Sequence, residues 1–271
     1  MGILAMIARL LWDREETPSP LERARNGDKE LRFAALVHKD LSGIDLTSAD
    51  LTGAKLCKAQ LAKTDLRDAN LSDANLCGAT LTEANLRGAN LDGANLEGAS
   101  LLHADLSFTN LNNANLLGAT LLHTDFHHAD LTGASLSGAN LTTALVQDAD
   151  FSSARLEGVN LSGVDLRTVN LNNANLFRSN LSRVNLSGVT LDGTDFGSTN
   201  LSNADLSGAI LRVVFTEADL TGADLTDADH SRSFFRQTRM PDGTLKSSDF
   251  PPPEPPAVTL IVPSPRRRPR R

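Results

Sequence analysis

The fold class this sequence predicts is an all-β solenoid of five-residue units, and three regularities predict it. From Leu41 to Leu211 every fifth residue is large and apolar, all of them Leu except Phe126, Val146, Phe151 and Phe196. A period of five matches neither the 3.6 of an α-helix nor the 2.0 of a strand, so the chain must turn through a constant angle after each unit. The residue two before each central position is small, as in Ala49, Ala54, Ala69 and Ala74, with Thr64, Ser179 and Val184 as variants. Gly recurs at the last place of the unit, at Gly78, Gly88, Gly93, Gly98 and Gly118. A turn there can demand a positive φ that Gly adopts freely.

Two residues per unit therefore point inward and three face water. The outward residue before the central Leu is usually Asp or Asn, as at Asp45, Asp65, Asn70, Asn85, Asn90 and Asn95. The resulting Ala-(Asp/Asn)-Leu-x-Gly pattern is unbroken at 84–88 and 89–93. It resembles the pentapeptide-repeat family, common in bacteria, over about three quarters of the chain. The resemblance implies a right-handed quadrilateral β-helix: four units make one coil, the central Leu or Phe stacks in the middle, and the small residue fills beside it. The family shares few catalytic residues, so the resemblance speaks more to architecture than to function.

With four sides, residues twenty apart become neighbours in adjacent coils at about 4.8 Å. Residues 36–230 then supply nearly ten coils, a rod about 45–50 Å long. Burying each Leu is worth roughly 2 kcal/mol, so the column offsets chain entropy without a globular core. The register slips once: after Leu211 the next central residue is Phe215, followed by Leu220 and Leu225. One residue is missing there. The pattern decays by Phe235, and the segment Met240-Pro241-Asp242-Gly243-Thr244 reads as a closing turn.

The sequence divides into a helical segment and cap at 1–38, the repeat at 39–235, and a closing turn with a Pro/Arg-rich tail at 236–271. Ile3, Met6, Ile7, Leu10 and Leu11 follow amphipathic helical spacing. Ser19, Pro20 and Glu22 form a capping-box signature, and Asn26 with Gly27 stops that second helix. Leu31 and Leu36 are already in phase with the repeat, so this segment is expected to cap the first coil. Membrane-surface binding or self-association through Ile3 to Trp12 is the other reading. The run is too short to span a bilayer and carries no cleavage site, and a cytoplasmic location is expected. Residues 251–256 and 263–271 are rich in Pro and Arg and are expected to be extended. The five arginines between Arg266 and Arg271 could meet an anionic membrane or nucleic acid, or only solubilise the chain. Residues 257–262 read as a strand seeking an edge.

Charge is unevenly placed. Residues 39–230 carry 24 acidic and 11 basic side chains, a net of −13. Two adjacent sides of the strict repeat hold 14 acids against 4 bases, whereas the other two hold 5 against 7. The acidic sides include Asp45, Asp65, Asp68, Asp105, Asp125, Asp130, Asp148, Asp150 and Asp165. Some pentapeptide-repeat proteins mimic B-DNA and inhibit or protect DNA gyrase, and a one-sided acidic rod is similar to them. Duplex DNA, however, presents roughly 28 charges over this length, about three times the net charge of these two sides. Asp before the central Leu can also serve a purely local bond, as Asn does.

A second candidate surface is apolar. Leu102 and Leu122 occupy one outward slot a coil apart, with Leu117 on the preceding side, His103 and His123 beside them and Phe108 near the adjoining side. Such a patch points to protein contact, against a background of scattered surface Leu. His103, His123, His127 and His128 lack a thiolate or carboxylate placed to complete a metal site, so no metal is expected. Cys57 and Cys77 also stand one coil apart. In-register Cβ vectors would hold them wider than a relaxed disulfide prefers, and reduced surface thiols are expected.

No phosphate-binding Gly loop, nucleophile elbow or metal-binding helix motif is present, and a convex rod offers no concave pocket. Neither an enzyme, a cofactor nor a small-molecule substrate is expected. What remains is a non-catalytic interaction scaffold binding a protein partner through its outer faces. A gyrase-directed DNA mimic and a membrane-associated assembly factor, including self-association through the termini, are the alternatives.

Overall fold

A computed structural model describes residues 18–248. The amphipathic run Ile3 to Trp12, the 257–262 strand and the Pro/Arg-rich segments lie outside the described residues. Within them the chain winds as a right-handed, four-sided β-helix. Parallel bridges link residues twenty apart, from Glu30 with Asp50 through Asp65 with Asn85 to Asn185 with Asp205. They begin at Glu30, inside the segment expected as the cap, because Leu31 and Leu36 are already fully buried at central positions.

The unit satisfies its own backbone. Leu51 N–H donates to Asn70 O at 2.7 Å, and Asn70 N–H returns to Ala49 O at 2.9 Å. Ala54 N–H closes the corner on Leu51 O at 2.9 Å, and Gly53 N–H at the corner donates to Ser72 O at 2.8 Å. That corner is a turn whose third residue lies at positive φ. The left-handed conformation is not confined to Gly: Ser48, Asp68, His103 and Phe108 adopt it at φ 56°, 56°, 57° and 61°. Repetition of the ladder on both neighbours imposes the corner even where the residue resists it.

Thr143 and Thr168 mark the limit of that imposition. Both occupy corner slots, yet neither has a positive φ, which β-branching strongly disfavours. The corner N–H groups above them, those of His123 and Asp148, turn to the Thr143 and Thr168 hydroxyls at 3.0 and 2.9 Å. Beside these corners the bridges expected between Thr120 and Asn140 and between Leu145 and Asp165 are not formed.

The central residues form one continuous buried column with the small residues. Where the small slot is polar, its hydroxyl is mostly satisfied by the coil before: Thr64 donates to Leu41 O at 2.9 Å, Ser179 to Leu156 O at 2.7 Å and Thr199 to Leu176 O at 2.7 Å, whereas Thr109 donates within its own turn to Leu106 O at 2.6 Å. Phe196, Phe215 and Phe235 continue the column with ring centroids 5.6 and 5.3 Å apart.

The deletion after Leu211 is absorbed by straightening a corner. Strands β1 (Thr190–Asp195), β2 (Ile210–Thr216) and β3 (Phe234–Arg236) pair in parallel. The register moves from Asp192 opposite Arg212 to Asp195 opposite Val214, with Val213 fully buried between them. Afterwards the bridges join Asn200 with Asp219 and Asp205 with Asp224. The closing turn forms an antiparallel hairpin of β4 (Thr238–Arg239) and β5 (Leu245–Lys246), with Met240 N–H donating to Thr244 O at 2.8 Å.

At the other end, helix α1 (Pro20–Arg25) carries the anticipated capping box: the Ser19 hydroxyl accepts from Glu22 N–H while the Glu22 carboxylate accepts from Ser19 N–H at 2.8 Å. Ala24 is fully buried and Leu21 packs on the core. Arg23 donates to Glu30 O and Arg25 to Asp40 O, at 3.3 Å for the latter. Among the described residues no coil precedes these carbonyls, and basic side chains take up the edge there.

Candidate functional site

The fixed coil turns slots into columns, and two columns carry the apolar surface. The bridge between Ser100 and Thr120 sets Leu102 beside Leu122, both half-buried, and Leu117 on the adjoining side is 45% exposed. His103 and His123, held at left-handed corners, stack with ring centroids 4.7 Å apart and planes 6° from parallel.

Around the next corner Phe108, 48% exposed, stacks on His128 at 4.7 Å. On its other face lies Arg87, whose guanidinium carbon is 4.3 Å from the ring centroid. Arg87 is held there by donating to Ser107 Oγ at 2.9 Å. His128 Nε2 in turn is 3.7 Å from an Asp148 carboxylate oxygen. The outcome is a column of cation, aromatic ring, imidazole and carboxylate. Leu145, 45% exposed, adds to the apolar surface between these columns. Sequence reasoning passed over it, although the signal was there: it interrupts a column, 45 to 205 in steps of twenty, otherwise given to Asp or Asn.

The aspartates of the acidic sides are mostly engaged locally. Asp45 accepts from Thr47 N–H at 2.9 Å and from its hydroxyl at 2.7 Å, and pairs with Lys29 at 3.1 Å. These bonds, Thr47 foremost, pull its carboxyl down to about 2. Asp65 and Asp165 pair with Arg67 and Arg167 at 2.6 and 2.7 Å, and those guanidiniums hold both carboxyls below the usual carboxylate range. Asp105 accepts from Ser107 N–H at 2.9 Å, and Asp125 accepts from His127 N–H and meets its Nδ1 at 2.6 Å. Asp130 accepts from Thr132, and Asp150 from Ser152 N–H and Asn170 Nδ2. Asp68 stands at a corner over Gly88. Asn does the same local work, as where Asn90 accepts from Asp92 N–H.

The expectation of reduced thiols is corrected: Cys57 and Cys77 form a disulfide, with Cα atoms 4.6 Å apart. Both stand in turns, so the turn sets the direction of each Cβ, and the parallel in-register vectors assumed for paired strands do not apply. Among the described residues no group of three or more His, Cys, Asp or Glu could hold a metal ion. Among them, too, no helix is long and apolar enough to cross a membrane.

Comparison with known proteins accounts for this architecture. The model of pentapeptide repeats matches residues 30–61, 59–98, 81–116, 179–212 and 213–250, and that of a pentapeptide repeat region matches 104–181. The chain is 33% identical to HetL, a pentapeptide repeat protein involved in heterocyst differentiation regulation from the cyanobacterium Nostoc sp. strain PCC 7120. The match covers 91% of this chain and 100% of HetL, with a TM-score of 0.45. QnrB1, a plasmid-mediated fluoroquinolone resistance protein, is 23% identical over 57% of this chain and 75% of its own, with a TM-score of 0.44. A pentapeptide repeat protein of the Arabidopsis thaliana thylakoid lumen is 26% identical over 47% of this chain and 71% of its own, with a TM-score of 0.29. No curated protein matches the chain. On the family models, which together run from residue 30 to 250, this chain belongs to the pentapeptide repeat family.

Proposed function

We propose that the protein is a non-catalytic scaffold, a rigid rod that binds a protein partner through the surface around Leu102, Leu117, Leu122, His103, His123 and Phe108. The observation that carries the reading is Phe108: a half-exposed ring pinned between Arg87 and His128, with Leu145 exposed on the same side of the coil. A preorganised aromatic flanked by an arginine has the makings of an interface anchor, because little side-chain freedom is lost on docking. Pentapeptide repeat proteins are in general structural or interaction proteins, and the reading is consistent with that.

The test compares the intact chain with Leu102→Ser/Leu117→Ser/Leu122→Ser and with Phe108→Ala in cross-linking and co-purification from the source cell. Both variants are expected to keep the circular dichroism of the parent and to lose the partner. Retention of the partner by both would overturn the reading.

A DNA-mimic role is favoured by the stacking of Asp45 on Asp65, Asp105 on Asp125 and Asp130 on Asp150, which repeats negative charge at one-coil spacing. Against it stand Lys29, Arg67, His127 and Arg167, which pair with those same sides. Inhibition of gyrase supercoiling by the purified chain would favour the mimic over the scaffold.

A further inference from the structure

We infer that Cys57 and Cys77 form a redox-active pair, a dithiol/disulfide couple on the rod surface that exchanges with low-molecular-weight thiols while the coils stay folded. The proposal does not depend on the scaffold reading.

Three observations converge on it. First, the cysteines are held side by side by the ladder and not only by their own bond. Lys58 N–H donates to Cys77 O at 2.7 Å, Leu56 N–H to Asn75 O at 2.7 Å, and His38 N–H to Cys57 O at 3.1 Å. With the Cα atoms fixed 4.6 Å apart by these bonds, opening the bridge requires no movement of the main chain, and the freed thiols stay within reach of each other. Second, both cysteines are half-buried in outward turn positions, so a small thiolate can reach the sulfurs. Neither contributes to the buried column.

Third, Lys55 and Lys58, both exposed, bracket Cys57 along the chain, and neither forms an ion pair among the described residues. The Lys58 stem lies across Gly78, the neighbour of Cys77: a Cβ there would meet Lys58 Cγ at 3.3 Å. Nearby ammonium groups favour a thiolate over a thiol, and a stabilised thiolate is the better leaving group in exchange.

The chemistry balances with one named co-reactant. A low-molecular-weight thiolate attacks Cys77 Sγ, the bond between the two cysteine sulfurs breaks, and Cys57 leaves as a thiolate beside Lys55 and Lys58. A second thiolate attacks the mixed disulfide on Cys77, releasing the small-molecule disulfide and the Cys77 thiolate. Both protein thiolates then stand in protonation equilibrium with solvent. The protein gains two electrons and two protons, supplied by the two thiols.

The experiment equilibrates the full chain in reduced and oxidised glutathione at graded ratios without denaturant, quenches with acid, alkylates with a maleimide and counts adducts by mass. The expected result is a single transition between no adduct and two, with circular dichroism unchanged throughout. Persistence of two adducts in excess oxidised glutathione would overturn the proposal, as would a bridge that reduced glutathione opens only after denaturant is added. Lys55→Ala/Lys58→Ala is expected to slow reduction roughly three- to tenfold, and an unchanged rate would remove the lysines from the mechanism. Cys57→Ser and Cys77→Ser should each fold and take up at most one glutathione.

Discussion

Lys29 donates through Nζ to the main-chain oxygen of Asp45 at 3.0 Å and to its carboxylate at 3.1 Å. In the later coils the oxygen equivalent to Asp45 O accepts an N–H from the coil before, as Asp65 O does from Leu46, except at Asp165 beside the Thr168 corner. With Arg23 on Glu30 O and Arg25 on Asp40 O, three basic side chains stand where, among the described residues, no coil precedes. Removing them exposes a parallel edge.

The triple substitution Arg23→Ala/Arg25→Ala/Lys29→Ala is therefore expected to lower the melting temperature by a few degrees. It should also promote end-to-end association. Calorimetry and light scattering check this; an unchanged melting curve with no added scattering would mean the edge needs no basic side chains.

Acid should loosen the same end. Asp45 has a folded pKa of about 2, below its ordinary 3.8, so its contribution is present above about pH 4 and is lost as pH falls toward 2. Asp65 and Asp165, also depressed, add to the same window. Melting temperature measured from pH 6 to pH 2 should fall mainly below pH 4. Asp45→Asn, which keeps an acceptor for Thr47 N–H but does not titrate, should flatten that slope.

The aromatic stack closes the column at the register slip. Phe215→Ala opens a cavity between Phe196 and Phe235 and should cost about 3–5 kcal/mol locally. Because each coil contacts only its neighbours, the damage should stay near the hairpin. Hydrogen exchange is expected to accelerate from β1 to β5 while the amides around Leu66 to Leu106 keep their protection.

Corners should differ by residue type and by what stands above them. Gly88 lies at φ +70° with Asp68 Oδ1 2.5 Å from where a Cβ would sit, whereas Gly98, at φ +64°, has nothing within 4 Å. Gly88→Val should cost about 1–3 kcal/mol or more, and Gly98→Asn should be nearly neutral. Equal costs in urea titration would show that the corner does not select against β-branching.

The coil was legible in the sequence because its information is local and repeated: Leu, the small residue and the corner recur every five positions, and even the missing residue before Phe215 shows as a break in count. The columns followed at once, so His103 on His123 and Cys57 beside Cys77 could be placed from spacing. What spacing does not contain is side-chain direction outside the ladder. Turn geometry joins Cys57 to Cys77, and Arg87 reaches across a coil to cover Phe108. Edge carbonyls that no coil precedes among the described residues draw in Lys29 and Arg25, and Thr143 forces its neighbour's N–H onto a hydroxyl. Periodicity alone settled what lies inside the rod, since burial obeys the repeat. The exterior was decided only in three dimensions, because there each side chain answers to neighbours twenty residues away that share no pattern with it.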